Sequence, residues 1–374
     1  MLYNFYGILL ESDQSIPSFE AFKAKQEEPF SKRVVLTTVT GLFCETAVSA
    51  TYEHRGLNVS SLADGWLFSL PGDNSCSLVA SKDYLQLKAH VNPEKIQSNK
   101  LLPLLRTALE CAAATQGLVS LHASCLKVGE KAICLTANSG TGKSTRAQSW
   151  VDAHGAELIS GDRPVIRTDS DGKMLACGAP WDGKEQIFVN GSAELKAVCD
   201  IRRGDFVRVR RLSVNQARRV LMQQCFIPMW DTDVATSVMA TISMLSRRVL
   251  VLRTICGPDE KSAHILRETI FDSEKNIYGV EKDMKTKSGF VLKKIAGENI
   301  VMPVGENIKN FDGAIVLNEV SAFVWSKLES GTSRNELVEY IIAEYDVDAD
   351  KAAADLDILL GKLIGYGAIE EETV

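Results

Sequence analysis

The sequence predicts an α/β protein in three parts: a β-rich N-terminal region (1–100), an α/β core built around a glycine-bearing phosphate loop (101–272), and a small α+β domain (284–372). Three observations predict it. Short β-branched or alternating runs bounded by turn residues fill the N-terminal region. A strand, a Gly-bearing loop, a helix and a second strand follow one another through residues 131–162. Past a polar, lysine-rich stretch at 273–288, read as a linker, the pattern becomes a hairpin followed by three helical stretches. A length of 374 residues fits two or three domains of ~100–200 residues.

In the first region, Val34–Val39, Gly65–Leu70, Ser77–Ala80 and Tyr84–Ala89 read as strands, with turns at Gly72-Asp73-Asn74 and Ser81-Lys82-Asp83. Nothing there suggests chemistry, so a supporting or recognition role is expected. Leu101–Thr115 is rich in Leu and Ala at helical spacing and stops at Gln116-Gly117. Leu118–Leu126 and Lys131–Thr136 read as strands joined at Val128-Gly129-Glu130. A helix over Lys143–His154 ends at Gly155, and Leu158–Ser160 is a short strand leading into Gly161-Asp162. Gln216–Gln224, Val234–Ser246 and Asp259–Phe271 read as helices, and Val249–Arg253 as a strand. In the last part, Phe290–Ile295 and Ile300–Met302 form a hairpin about Gly297, followed by helices near Glu319–Leu328, Ser333–Glu344 and Asp348–Ile364. Ser333 and Glu336 have the spacing of a capping box, and Asp348 places an acid at a helix start. Phe323, Trp325, Leu337, Ile341, Leu359 and Leu363 are core residues by their spacing.

Composition excludes several classes. Hydrophobic residues make up 45% and charged residues 24%, so a disordered or fibrous chain is not expected. The nine cysteines are odd in number and none forms a CxxC pair, which argues against a disulfide framework or a zinc site and fits a cytoplasmic protein. Scattered histidines without an HxxxH pair give no His-based metal site. The first residues lack a signal-peptide pattern, and no apolar run reaches the ~18 residues of a membrane helix. A net charge of −6 exerts no broad pull on nucleic acid or an anionic membrane. Seven arginines cluster at Arg202, Arg203, Arg208, Arg210, Arg211, Arg218 and Arg219, but without interleaved aromatics. A solvated face, or an anion site near a nucleotide or an acidic peptide, is favoured over a nucleic-acid patch.

The strongest chemical signal is Ala137-Asn138-Ser139-Gly140-Thr141-Gly142-Lys143-Ser144-Thr145. It follows the GxxxxGK[ST] phosphate-loop pattern with Ala137 at the first glycine. Gly140 and Gly142 let the backbone turn its N–H groups toward a phosphate, Lys143 supplies a cation, and Ser144 offers a hydroxyl to Mg²⁺. ATP and Mg²⁺ are therefore the expected cofactors. Asp162, after the next short strand, stands where a metal ligand or base is expected, although an isolated Asp also caps turns. His122 fits a structural residue on an apolar strand as well as a phosphate contact. Glu185 would by itself be a charged residue in a turn.

These residues, in this order, resemble the HPr kinase/phosphorylase superfamily, whose fold is related to ATP-dependent phosphoenolpyruvate carboxykinases. His122-Ala123-Ser124 is similar to its His-Ser-Ser strand, the loop to its Gly-x-Ser-Gly-x-Gly-Lys-Ser, and Leu158–Arg163 to its Leu-Val-Ala-Asp-Asp-Arg. Gly178-Ala179-Pro180 before Glu185 resembles its Gly-x-x-Pro segment. The resemblance implies Asp162 as base near the metal, Lys143 and Ser144 on phosphates and Mg²⁺, His122 as a support of the loop or phosphate, and Glu185 as a further metal acid. Gly161 stands where the family has its first Asp, and the segment linked to phosphorolysis is not recognisable. That puts phosphorylase activity, and HPr as substrate, in doubt.

Residues 284–372 resemble a second family, the PqqD-like domains, through Ile315–Asn318, Trp325, Gly331-Thr332, Glu336-Leu337, Glu344–Val347, Asp355, Leu363 and Gly367. This implies a winged-helix-like α+β fold of two or three strands and three helices that binds the leader of a ribosomally made precursor peptide. Three functions stay open: a Ser/Thr kinase of such a peptide, a kinase of a carrier protein or small metabolite, and a non-catalytic module gated by ATP. A homo-oligomer is also left open. Residues 1–283 carry 33 basic and 32 acidic residues and residues 284–374 carry 9 and 16, so the negative balance lies in the tail. Within it the ribbon 284–311 is basic, 5 against 2, and the helical part acidic, 4 against 14, which predicts a charge-complementary partner peptide.

Overall fold

Apolar residues alternate with polar ones along most N-terminal strands, and that pattern buries one sheet face. The computed structural model describes residues 1–24, 30–41, 43, 50–92, 100–138, 141–181, 189–203, 208–256, 260–271, 283–309 and 313–371. The chain divides into two compact units, Met1–Val209 with Ala217–Ile277, and Arg210–Gln216 with Tyr278–Val374.

The first unit opens with β1 (Leu2–Phe5), β2 (Ile8–Ser12), β3 (Lys32–Thr40), β4 (Ala50–His54), β5 (Leu57–Leu62), β6 (Gly65–Leu70), β7 (Asp73–Ser81) and β8 (Gln86–Val91). They form one sheet in the order β1-β2-β3-β8-β7-β6-β5-β4. The β1–β2 and β4–β5 hairpins close through two-residue turns, Tyr6-Gly7 and Arg55-Gly56, with all four residues at positive φ, as the right-handed strand twist demands. Strand β7 begins at Asp73, one residue into the expected turn. Tyr84, expected inside a strand, sits in the preceding turn at φ 59°, and β8 starts two residues later.

The core follows: α1 (Leu101–Ala114), β9 (Val119–Ser120), β10 (Ser124–Val128), β11 (Lys131–Thr136), α2 (Lys143–His154), β12 (Glu157–Ser160), β13 (Val165–Thr168), β14 (Met174–Cys177), β15 (Ser192–Arg203), β16 (Arg208–Arg211), α3 (Val214–Gln224), α4 (Thr232–Arg248), β17 (Leu250–Cys256) and α5 (Glu260–Phe271). The sheet runs β12-β10-β11-β15-β14-β13-β9, with β17 beside β15 and β16 beside β17. β11, β15 and β17 are parallel, so the loop after β11 leaves from the carboxyl ends of three strands, the usual ligand edge of such sheets. On one face Trp150 and Ala147 of α2 and Leu266 and Ile270 of α5 pack on Leu126, Ile133, Leu135 and Leu252. Helix α1 is buried over most of its length, packing on β7 of the first sheet and on α4 of the core. Tyr84 Oη donates to Asp231, the N-cap of α4, at 2.9 Å and ties the two sheets together.

In the second unit, β18 (Asp283–Thr286), β19 (Phe290–Ile295), β20 (Glu298–Pro303), β21 (Ile315–Leu317), α6 (Glu319–Glu329), β22 (Thr332–Ser333), α7 (Arg334–Glu344), α8 (Ala349–Gly365) and β23 (Ile369–Glu371) surround one core with Trp325, Leu337 and Leu363 fully buried. Ser333 and Glu336 form the expected capping box, and Asp348 caps α8. Two departures appear together. Residues Asp283–Thr286, assigned to the linker, are a strand, and with β22 and β23 they make a second three-stranded sheet beside β19-β20-β21. Such short strands are held by tertiary pairing and leave little local pattern. Eight cysteines are free and buried, and Cys44 lies outside the described residues. No helix among the described residues is long and apolar enough to cross a membrane.

Candidate functional site

The site begins where a strand fails to continue. Leu118–Leu126, expected to be one strand, breaks at residues 121–123 between β9 and β10. The freed N–H groups find partners elsewhere: Leu121 on Pro164 O at 3.0 Å, His122 on Gln224 O at 2.8 Å, and Ala123 on Asp162 O at 2.8 Å. Thr136 Oγ1 donates to His122 O at 2.8 Å and Ser124 Oγ to Gly161 O at 2.9 Å. The break therefore fastens three stretches, around His122, Thr136 and Asp162, at one point.

Three side chains converge there. His122 Nδ1 lies 2.8 Å from Asp162 Oδ1, at ion-pair distance but poorly aligned for a hydrogen bond. Lys143 Nζ, at the first position of α2, reaches the same oxygen at 3.4 Å and His122 Nε2 at 3.4 Å. Arg163 Nε approaches Asp162 Oδ2 at 3.6 Å, and its Nη1 meets the buried Glu110 at 3.3 Å. Partial burial pushes the Asp162 carboxyl up, but His122 and Lys143 outweigh burial and hold it below its usual range. Glu110 is pushed up, chiefly by burial.

The loop is braced from beneath. Gly142 holds φ 88° as the residue before α2. Thr141 N donates to Asn138 O at 3.1 Å. Arg146, buried on α2, donates to Thr141 O at 2.6 Å and to Cys256 O at 2.6 Å, and Arg203 Nε reaches Thr141 O at 3.4 Å. A Cβ at Gly142 would come within 3.1 Å of Arg146 Nη1, so glycine serves both conformation and packing there. Asn138, Ser144 and Thr145 are exposed. Ser139, Gly140 and Glu185 lie outside the described residues.

Sequence reasoning missed Asp200. It sits in register with Thr136 on the adjacent parallel strand, buried, with Arg253 Nε at 3.0 Å and Arg202 Nη2 at 3.2 Å. An acid closing an apolar strand just ahead of Arg202-Arg203 was the available signal. Arg202, half-buried on Asp200, and Arg203, exposed with its Nε on Thr141 O, thus join the loop surroundings. Among the described residues no cluster of three or more His, Cys, Asp or Glu could hold a metal by itself. Ser144 and Asp162 supply the hard oxygen donors that suit Mg²⁺, an ion that takes few protein ligands beside phosphate and water.

The second unit has its own concavity of about 320 Å³, lined by Asn318, Val324, Ile341, Tyr345, Leu356 and Leu359 among others. Beside Asn318, β21 pairs with β20 along one edge only among the described residues, and Val316 on it is 63% exposed.

Residues 299–369 match the family model of PqqD, Coenzyme PQQ synthesis protein D. Among solved structures, "TbiB1 in Complex with the TbiA(beta) Leader Peptide" is similar at 27% identity, covering 24% of this chain and 99% of that one, with a TM-score of 0.21. The Hpr(Ser) kinase/phosphatase from Coxiella burnetii is similar at 12% identity, covering 42% of this chain and 95% of that one, with a TM-score of 0.23. No curated protein matches the chain significantly.

Proposed function

We propose that the chain is an ATP-dependent phosphotransferase that passes a phosphoryl group to a Ser or Thr hydroxyl of a precursor peptide, whose leader is held by residues 284–372. The observation that carries this reading is the meeting of Lys143, His122 and Asp162 at the mouth of a braced glycine loop. Lys143 and the N-terminus of α2 face the donor phosphates, and Ser144 with Asp162 would hold Mg²⁺. Bound there, Mg²⁺ and the nucleotide supply the electrophile and its charge shielding. Asp162 accepts the proton of the acceptor hydroxyl. His122 and Lys143 outweigh burial and hold its carboxyl below the usual range, so it is ionised and free to accept a proton.

The PqqD match, the open edge of β21 and the neighbouring apolar concavity support peptide docking by strand addition, with one or two apolar side chains inserted. Tethering raises the local peptide concentration to about millimolar, so the catalytic site need not bind the modified stretch tightly. The test is incubation with ATP, Mg²⁺ and the short peptide encoded beside the gene, read by mass. Wild type should add one phosphate and Asp162→Asn should do so at least about a hundredfold more slowly. No phosphate on the peptide, or equal rates, would overturn the proposal, and a phosphorylated carrier protein in its place would redirect it.

A further inference from the structure

Helix α1 buries leucines, alanines, a threonine and a cysteine, and among them one charged side chain, Glu110. A carboxylate there is costly, and an apolar residue would pack such a helix at least as well. Two groups meet it. Ser120 Oγ donates to Glu110 Oε1 at 2.6 Å, and Arg163 Nη1 donates to the same oxygen at 3.3 Å. Ser120 is itself fixed. It stands opposite Val165 where β9 pairs with β13, and its carbonyl accepts from Phe226 N at 2.9 Å. Glu110 and Arg163 are 4% and 6% exposed, so neither end of the pair can turn out into water.

The other end of Arg163 reaches the site. Its Nε lies 3.6 Å from Asp162 Oδ2, while Oδ1 of the same carboxylate faces His122 Nδ1 at 2.8 Å and Lys143 Nζ at 3.4 Å. The two oxygens of Asp162 are thus divided between two sides. The main chain of Asp162 is held by Ala123 N on its carbonyl, which leaves the carboxylate free to turn about its side-chain torsions. His122 and Lys143 both act on Oδ1, and contact at one oxygen does not set a plane. Arg163 supplies the second point. A guanidinium is planar and rigid, so holding Nη1 sets the direction of Nε. Asp162 alone would balance the charge of Arg163. The second, deeper carboxylate fixes where the guanidinium sits.

We propose that Glu110 is a positioning residue of the candidate site: anchored by Ser120, it fixes the Arg163 guanidinium, which in turn sets the carboxylate plane of Asp162. This deepens the phosphotransferase reading and rests on it. It also gives α1 a part in the site, where its sequence showed only a Leu- and Ala-rich packing helix.

The test is a double-mutant cycle on the full chain. MgADP affinity is measured by calorimetry for wild type, Glu110→Gln, Asp162→Asn and the two combined. Glu110→Gln keeps an acceptor for Ser120 and loses the charge that anchors Arg163. It should weaken MgADP binding about fivefold or more, and in the Asp162→Asn background it should change affinity by less than about twofold, because its effect passes through Asp162. In phosphate transfer to the peptide, Glu110→Gln should lower kcat about tenfold or more and leave KM for the peptide within about twofold. Glu110→Gln/Arg163→Gln leaves no unpaired buried charge, so it should melt close to wild type and still show the weaker MgADP binding. A residue that merely supports the fold would give equal losses in both backgrounds, or none, and either result overturns the proposal. Wild type that binds no MgADP overturns the phosphotransferase reading and this inference with it. Wild type that binds MgADP but leaves the peptide unmodified counts against the acceptor alone, and the calorimetric cycle then still decides the role of Glu110.

Discussion

The mouth of the loop and the concavity of the second unit are built on opposite physical terms. At the loop, Lys143, His122, Asp162, Arg163 and Glu110 crowd charge into a partly buried space, with the backbone braced by Arg146 and Arg203. At the concavity, Val324, Ile341, Leu356 and Leu359 offer apolar surface beside a strand edge with no partner among the described residues. Charge in fixed positions acts on an atom whose own charge changes, whereas an apolar groove with backbone hydrogen bonds tolerates sequence variation in what it holds. The difference teaches that the proposed chemistry and the proposed recognition rest on separate residues, so each can be broken while the other is read.

The largest expected effect is at Lys143. On the proposed phosphotransferase reading, Lys143→Ala removes the cation that would face the donor phosphates and should lower phosphate transfer by about a thousandfold or more. Affinity for the leader segment, measured by fluorescence anisotropy on the full chain, should stay within about twofold. A parallel loss of leader affinity would show that the two regions are not separable.

The loop stands out in the sequence because phosphate binding demands fixed residue types at fixed spacing, from Gly140 to Ser144. The nearness of Asp162 to Lys143 follows from its place after the next strand, and the helix ends at Gly155, Ser333 and Asp348 were legible by their capping chemistry. The break at His122 was not, because its cause is tertiary: Leu121, His122 and Ala123 give up ladder partners for Pro164, Gln224 and Asp162, which lie far along the chain. Asp200 was hidden for the same reason, since its meaning comes from the register with Thr136 and from Arg253 on a third strand.

A smaller effect is expected in the groove. Leu359 is partly buried at the edge of the second core and lines the concavity, so it can change without emptying the centre of the fold. Leu359→Asp places a carboxylate where an apolar side chain would insert and should weaken leader binding about tenfold or more. Leu359→Ala should cost less, and MgADP affinity should not move in either. Unchanged leader binding in both variants would move the docking site away from this concavity.

The smallest effect separates the regions by their response to acid. In the first unit, burial, with help from Arg55 and Arg106, lowers the pKa of His54 to about 4. A histidine whose folded pKa is depressed binds fewer protons folded than unfolded between about 4 and its ordinary 6.5, so its contribution is complete above 6.5 and declines as pH falls toward 4. After allowance for screening, about 1–2 kcal/mol should disappear over that window, and His54→Gln should flatten the loss. In the second unit, the hydrogen bond from Arg334 holds the Asp357 carboxyl below its usual value, so its contribution persists through the same window and fades only below 3.8. That pair is largely exposed and should contribute under about 1 kcal/mol. Urea titrations of wild type, His54→Gln and Arg334→Gln at pH 7, 5 and 3.5 read the two apart. Loss of the pH 7 to 5 decline in Arg334→Gln, or its persistence in His54→Gln, would assign the acid response to other groups and remove this distinction between the regions.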